Sequence, residues 1–137
     1  MPAVVLDSCV VSALLSPTDT LHAASAQAFR SWEERDSSFL LPSVAWCEVL
    51  IGLLRTGPHE ERHLVAFRES AVDEVVAADN TIATYAAHIR ARDLGVHVPD
   101  AFVLATAQQR GAAVVLTGDK KLKRAFPELV ELVEPTM

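Results

Sequence analysis

A parallel α/β sheet sandwiched between helices is the fold class this sequence predicts, on three observations. Apolar runs of strand length alternate with longer stretches of helical periodicity. No linker or internal repeat divides the 137 residues. Two of the apolar runs, VVL at 4–6 and AAVVL at 112–116, are followed within three residues by an acid, Asp7 and Asp119. Strands alternating with helices build parallel sheets, and such sheets bind ligands outside the carboxyl ends of their strands.

Taken in order, Ala3 to Leu6 reads as a buried strand and Ser8 to Leu15 as a helix following it at once. SPTDT is a turn. Leu21 to Arg35 is helical, with apolar or small residues at 21, 24, 28 and 32, and Phe39 to Leu41 is a short strand. Pro42 and Ser43 open a helix to Arg55, TGP breaks it, and a helix over Glu60 to Glu69 leads to a strand over Val72 to Val76. Asp79 or Asn80 caps a helix that ends at Gly95, and Pro99 and Asp100 start another that Gly111 closes. A strand at 113–116, the KKLKRAF turn and a last strand, LVELV, complete a single domain.

Composition narrows the functional classes. Half the residues are hydrophobic, enough for a real core. The N-terminus lacks a basic segment followed by a long apolar run, and no apolar stretch is long enough to span a bilayer, so a cytoplasmic protein without membrane contact is expected. Cys9 and Cys47 both lie in apolar stretches and read as small buried hydrophobes, not as a disulfide or redox pair. The formal charge is −6, from 12 Lys plus Arg against 18 Asp plus Glu, so long-range attraction to nucleic acid is not written into the overall balance. The cluster KKLKR after Asp119 is either a grip for phosphate or the solvated face of a short helix.

The acids carry the functional question. Asp7, Asp100 and Asp119 each stand where an acid caps a helix, and each has that structural reading open to it. Glu48 is harder to dismiss, as the one ionised residue between Asp36 and Arg55. At 100° per residue it shares a helical side with Ala45, Gly52 and Arg55, so it is expected to project from a mostly buried helix beside small residues. Its structural alternative is a simple surface glutamate. If all four converge, the like charges need protons or divalent cations to neutralise them. Carboxylates alone select hard cations, Mg²⁺ or Mn²⁺, which activate water and stabilise charge in phosphodiester hydrolysis.

Three stretches, VVLDSCVVSALL, SVAWCEVLIGL and VPDAFVLATAQQRGAAVVLTGDKKL, and the spacing between them, resemble the PIN-domain ribonucleases, and among these the VapC-type toxins of bacterial toxin–antitoxin pairs. The resemblance runs along essentially the whole chain. It implies a PIN-like three-layer sandwich with a central, mostly parallel sheet, and a metal-dependent endoribonuclease. It also implies that Asp7, Glu48, Asp100 and Asp119 hold Mg²⁺ (Mn²⁺ substituting), with Ser8 assisting and Thr117 in support. RNA as substrate, homodimerisation and inhibition by a small antitoxin that enters the acidic site, often with an Arg or Lys, follow from the same likeness. There are departures. The residue two after the first acid is commonly Asn or Ser in the family and is Cys9 here, so loss of a polar contact is expected. Many relatives place a further acid where this chain has Lys121, which leaves the number of metal ions open. Phosphate contact is expected from Arg55, Lys120, Lys121, Lys123 and Arg124.

HEERH at 59–63 matches H-E-x-x-H, but it follows TGP in a charged first turn and lacks apolar residues to bury a zinc site. A phosphatase would show D-x-D at the first strand end, where Cys9 occupies the second position. A receiver-type signalling domain lacks its phosphoacceptor acid, since FLLPS offers none. The remaining alternative is a PIN-like protein that binds RNA or a partner without catalysis.

Overall fold

The computed structural model describes residues 1–135. Its elements are β1 (Ala3–Leu6), α1 (Ser8–Leu15), α2 (His22–Glu33), β2 (Ser38–Pro42), α3 (Ser43–Thr56), α4 (Glu61–Ala71), β3 (Glu74–Val76), α5 (Asn80–Arg92), α6 (Val98–Arg110), β4 (Val114–Thr117), α7 (Lys120–Ala125) and β5 (Val130–Leu132). The sheet has five strands in the order β3-β2-β1-β4-β5, and every neighbouring pair is parallel. This is the predicted α/β sandwich with an all-parallel sheet. Receiver-type domains have the order 2-1-3-4-5, so that alternative is removed.

Alternation along each strand divides the interior into two layers. Val4, Leu6, Phe39, Leu41, Val114 and Leu116 face α1 to α4, while Val5, Leu40 and Val115 face α5 and α6. Both faces are covered, which is why AVVL and VVLT read as continuous apolar runs. From β1 the chain winds outward through β2 to β3, then crosses back to place β4 on the other side of β1. The carboxyl ends of β1 and β4 therefore flank the point where the winding reverses, the place where open parallel sheets form a crevice.

Most element ends lie within a residue or two of the sequence expectation. Gly111 closes α6 in the left-handed conformation (φ 60°), and Asp79 caps α5 by accepting the Ile82 N–H at 2.9 Å. Two expectations are corrected. Helix α5 stops at Arg92 and not at Gly95, because the Asp93 carboxylate accepts the Gly95 N–H at 2.9 Å and Arg90 donates to the Leu94 and Val96 carbonyls, folding DLG into a turn. Helix α3 is not mostly buried. It packs on one side through Ala45 and Val49, leaving Cys47, Ile51 and Leu54 exposed. An apolar sequence all round a helix does not distinguish burial in the fold from burial by a partner.

Candidate active site

Asp7 leaves the end of β1 with its N–H still paired to the Leu116 carbonyl at 3.0 Å. Its side chain then turns inward and is only 4% exposed. One carboxylate oxygen accepts the Ser8 N–H at 2.8 Å, capping α1, and the other accepts the Thr117 hydroxyl at 2.6 Å. Burial raises the Asp7 pKa; the hydrogen bonds from Thr117, Ser8 and Cys9 oppose the rise, and the charge of Asp119 adds to it. Across the crevice, Thr117 ends β4 and its hydroxyl oxygen accepts the Asp119 N–H at 3.1 Å. The Asp119 carboxylate caps α7 by accepting the Lys121 N–H at 2.8 Å. Capping and membership of the pocket are thus compatible at both strand ends.

Asp100 and Glu48 come from the surrounding helices. The N-cap of α6 is His97, so Asp100 is the third residue of the first turn and does not serve as the cap. Its pKa is pushed up to about 6, by burial first and then by the charges of Asp7, Asp119 and Glu48, with Lys121 opposing. The Glu48 carboxyl is also raised, by partial burial and the charge of Asp7, while hydrogen bonding from the Ser8 hydroxyl lowers it. Four acids from four segments thus share one electrostatic pocket at the switch point. The donors are all hard oxygens, the set expected for Mg²⁺ or Mn²⁺. Among the described residues no group of three or more His, Cys, Asp or Glu side chains is arranged to hold a metal ion.

The basic residues divide. Lys121 is close enough to affect Asp100, and Lys120 and Arg124 are exposed on α7. The Lys123 ammonium donates to the Pro127 and Val130 carbonyls at 2.7 and 2.8 Å, tying α7 to the start of β5. Arg55 is exposed in the last turn of α3, two turns beyond Glu48. In HEERH, His63 pairs with Glu60 at 3.0 Å and His59 precedes α4, so the two histidines do not form the helical pair that the motif requires.

Both cysteines depart from expectation. Cys47 is exposed, since it lies on the outer side of α3. Cys9 is half-buried and polar in its contacts: its sulfur accepts the Gly118 N–H at 3.2 Å, and lies 3.6 Å from the Thr117 hydroxyl and 3.7 Å from the Asp7 carboxylate. The expected loss of a polar contact at this position does not occur. Burial and the Asp7 charge push the thiol up to about 11, so it stays protonated and unreactive.

A family model described as PIN domain matches residues 4–126, a span that holds all four acids. The chain belongs to the PIN domain family. Among solved structures, VapBC2 of Rickettsia felis, bound to a DNA fragment from its promoter, matches with a TM-score of 0.77 at 12% identity, over 96% of this chain and 99% of that one. A toxin–antitoxin complex of Klebsiella pneumoniae has the same TM-score at 20% identity, over 97% and 99% of the two chains. VapC20 of Mycobacterium tuberculosis, a sarcin–ricin loop cleaving toxin, gives 0.67 at 19% identity, over 82% and 86%. At these identities the structures establish a shared PIN fold. No curated protein matches the chain in sequence. Among the described residues no helix is long and apolar enough to cross a membrane.

Proposed function

We propose that this PIN domain is a divalent-cation-dependent endoribonuclease, the toxin of a toxin–antitoxin pair. The observation that carries the reading is the gathering of four carboxylates from four segments at the switch point, where Asp7, Asp119 and Glu48 all act on the charge of Asp100. Such repulsion persists in a fold where a cation relieves it. Asp7, Glu48, Asp100 and Asp119 would hold Mg²⁺, or Mn²⁺ in its place. When bound, the ion supplies an activated water and charge stabilisation at the phosphate. Thr117 orients the Asp7 carboxylate, and the Ser8 hydroxyl would assist beside Glu48. Phosphate contact falls to Lys120, Lys121, Arg124 and Arg55, with Lys123 already engaged inside the fold.

The exposed apolar surface supports a partner. Ile51 and Leu54 on α3 and Val65 on α4 are exposed, and a cleft of about 200 Å³ lined by Ser12, Leu15, Ser16, Val49, Gly52 and Leu53 runs between α1 and α3, away from Ser8 and Glu48. We assign this side to a VapB-type antitoxin that lays an apolar segment along the cleft and presents Arg or Lys to the acids. The alanine-lined concavity of α5 and α6, with Val98 and Phe102, is assigned to a second copy of the chain. A cytoplasmic location fits an RNA substrate.

The test is incubation of the purified protein with total cellular RNA. Cleavage is expected with Mg²⁺ or Mn²⁺, and should vanish with EDTA and in Asp7→Asn, while a zinc-selective chelator has little effect. RNA binding without cleavage would replace the nuclease by a binding module, and cleavage that survives EDTA would overturn the metal assignment.

A further inference from the structure

Two loops carry the strand-end acids, and two side chains outside the acid set, Thr117 and Cys9, join them. Cys9 stands on the first turn of α1, two residues after Asp7, yet its sulfur takes the Gly118 N–H at 3.2 Å from the loop between β4 and α7. The same sulfur lies 3.6 Å from the Thr117 oxygen, which itself donates to Asp7 and accepts from the Asp119 N–H. Gly118 is packed against this contact. A Cβ placed there would stand 2.9 Å from a Leu21 methyl, 3.5 Å from the Val133 carbonyl and 3.7 Å from the Cys9 sulfur. The main chain between Thr117 and Asp119 is therefore fixed from three sides, with Cys9 holding its central N–H.

We propose that Cys9 is a positioning residue: by accepting the Gly118 N–H it sets the separation of Asp119 from Asp7, and hence the pocket's affinity for a divalent cation. This rests on the nuclease reading for its consequence, but the contact itself is independent of it. The sulfur is an acceptor set on α1 where it meets the Gly118 N–H across the crevice, so it bridges the two loops. The position is thus used for spacing, with the Thr117 hydroxyl carrying the stronger hydrogen bond to Asp7.

The test compares Cys9→Val, which keeps volume without an acceptor, with Cys9→Ser, which restores one, using Mn²⁺ titration calorimetry and hydrogen exchange at the Gly118 amide. Cys9→Val should weaken Mn²⁺ binding about ten- to a hundredfold, the usual cost of losing an outer contact to a metal site, and should speed Gly118 exchange. Cys9→Ser should recover much of both. A purely packing role predicts the opposite order, with Val near wild type and Ser impaired, and that result overturns the proposal. Wild-type protein that fails to bind Mn²⁺ would overturn the metal reading instead. Gly118 exchange then decides for the clasp: equal rates in wild type and Cys9→Val would overturn it, and faster exchange in the variant would support it.

Discussion

The two halves of the acid pocket are built differently. Asp7 and Asp119 leave strand ends and are held by partners: backbone N–H groups at 2.8 Å in both cases, and for Asp7 the Thr117 hydroxyl as well. Glu48 and Asp100 enter from α3 and α6, Glu48 on an exposed part of its helix and Asp100 half-buried in the first turn of its own. The strand pair is thus part of the fold's own hydrogen bonding, while the helix pair adds charge that the fold does not need. Removing a member of the first pair should disturb chemistry through a group the structure also uses; removing one of the second should relieve the metal-free protein.

The largest expected effect is at Asp7. Asp7→Asn should still fold, because the amide oxygen can accept the Ser8 N–H while the amide nitrogen donates to Thr117. Cleavage of RNA should fall by more than about a hundredfold, beyond the usual cost of losing an outer-shell contact. A folded Asp7→Asn protein that cuts RNA at the wild-type rate would break the assignment of the strand pair to chemistry.

Asp100→Asn sharpens the contrast through stability. Without metal, its thermal midpoint at pH 7 should equal or exceed that of the wild type, since one of four like charges is gone. With an ion at about a hundred times its dissociation constant, the wild type should gain roughly 2.7 kcal/mol, several degrees in midpoint, and Asp100→Asn should lose most of that gain. The pH dependence has a definite sign. The folded carboxyl titrates near 6 against an ordinary 3.8, so its protonated form favours folding. That contribution is complete below about pH 4 and is lost as pH rises through about 6. The wild type should therefore lose midpoint relative to Asp100→Asn across this window in EDTA, and gain it back in Mg²⁺. A flat difference in EDTA would mean that neither burial nor the other acids raise the Asp100 carboxyl.

What the sequence made legible follows the same division. The sheet and the strand-end acids were readable because burial on both faces forces continuous apolar runs, and a polar residue ending such a run marks a strand terminus, as at Leu6–Asp7 and Leu116–Asp119. The role of Asp100 was only partly readable. Pro99 announced a helix start, yet the first turn begins at Val98 and places Asp100 past the cap, a shift of one or two residues that changes what the side chain does. The exposure of α3 was not legible, since Ile51 and Leu54 look the same in sequence whether the fold or a partner covers them. Nor was the contact of Cys9 with Gly118, which are 109 positions apart and meet only because β4 returns to the side of β1.

The smallest effect is expected far from the pocket and serves to bound it. Glu74 begins β3, the edge strand two places from β1, and Arg110 ends α6, so their pair lies at the β3 edge of the sheet, away from the β1–β4 crevice. The guanidinium holds the carboxylate with two hydrogen bonds, at 2.8 and 2.6 Å, and lowers its pKa, the reverse of what the acids do to Asp100. Both side chains are substantially exposed, at 33% for Arg110 and 46% for Glu74, so solvent screens most of the attraction. Glu74→Gln should therefore lower stability by at most about 1 kcal/mol in chemical denaturation, and less at high salt. Its Mg²⁺-induced midpoint shift and its RNA cleavage should match the wild type. If neutralising this distant carboxylate changed the metal response as much as Asp100→Asn does, the response would report overall charge and not a local pocket, and the distinction between charge placed at the switch point and charge placed elsewhere would fail.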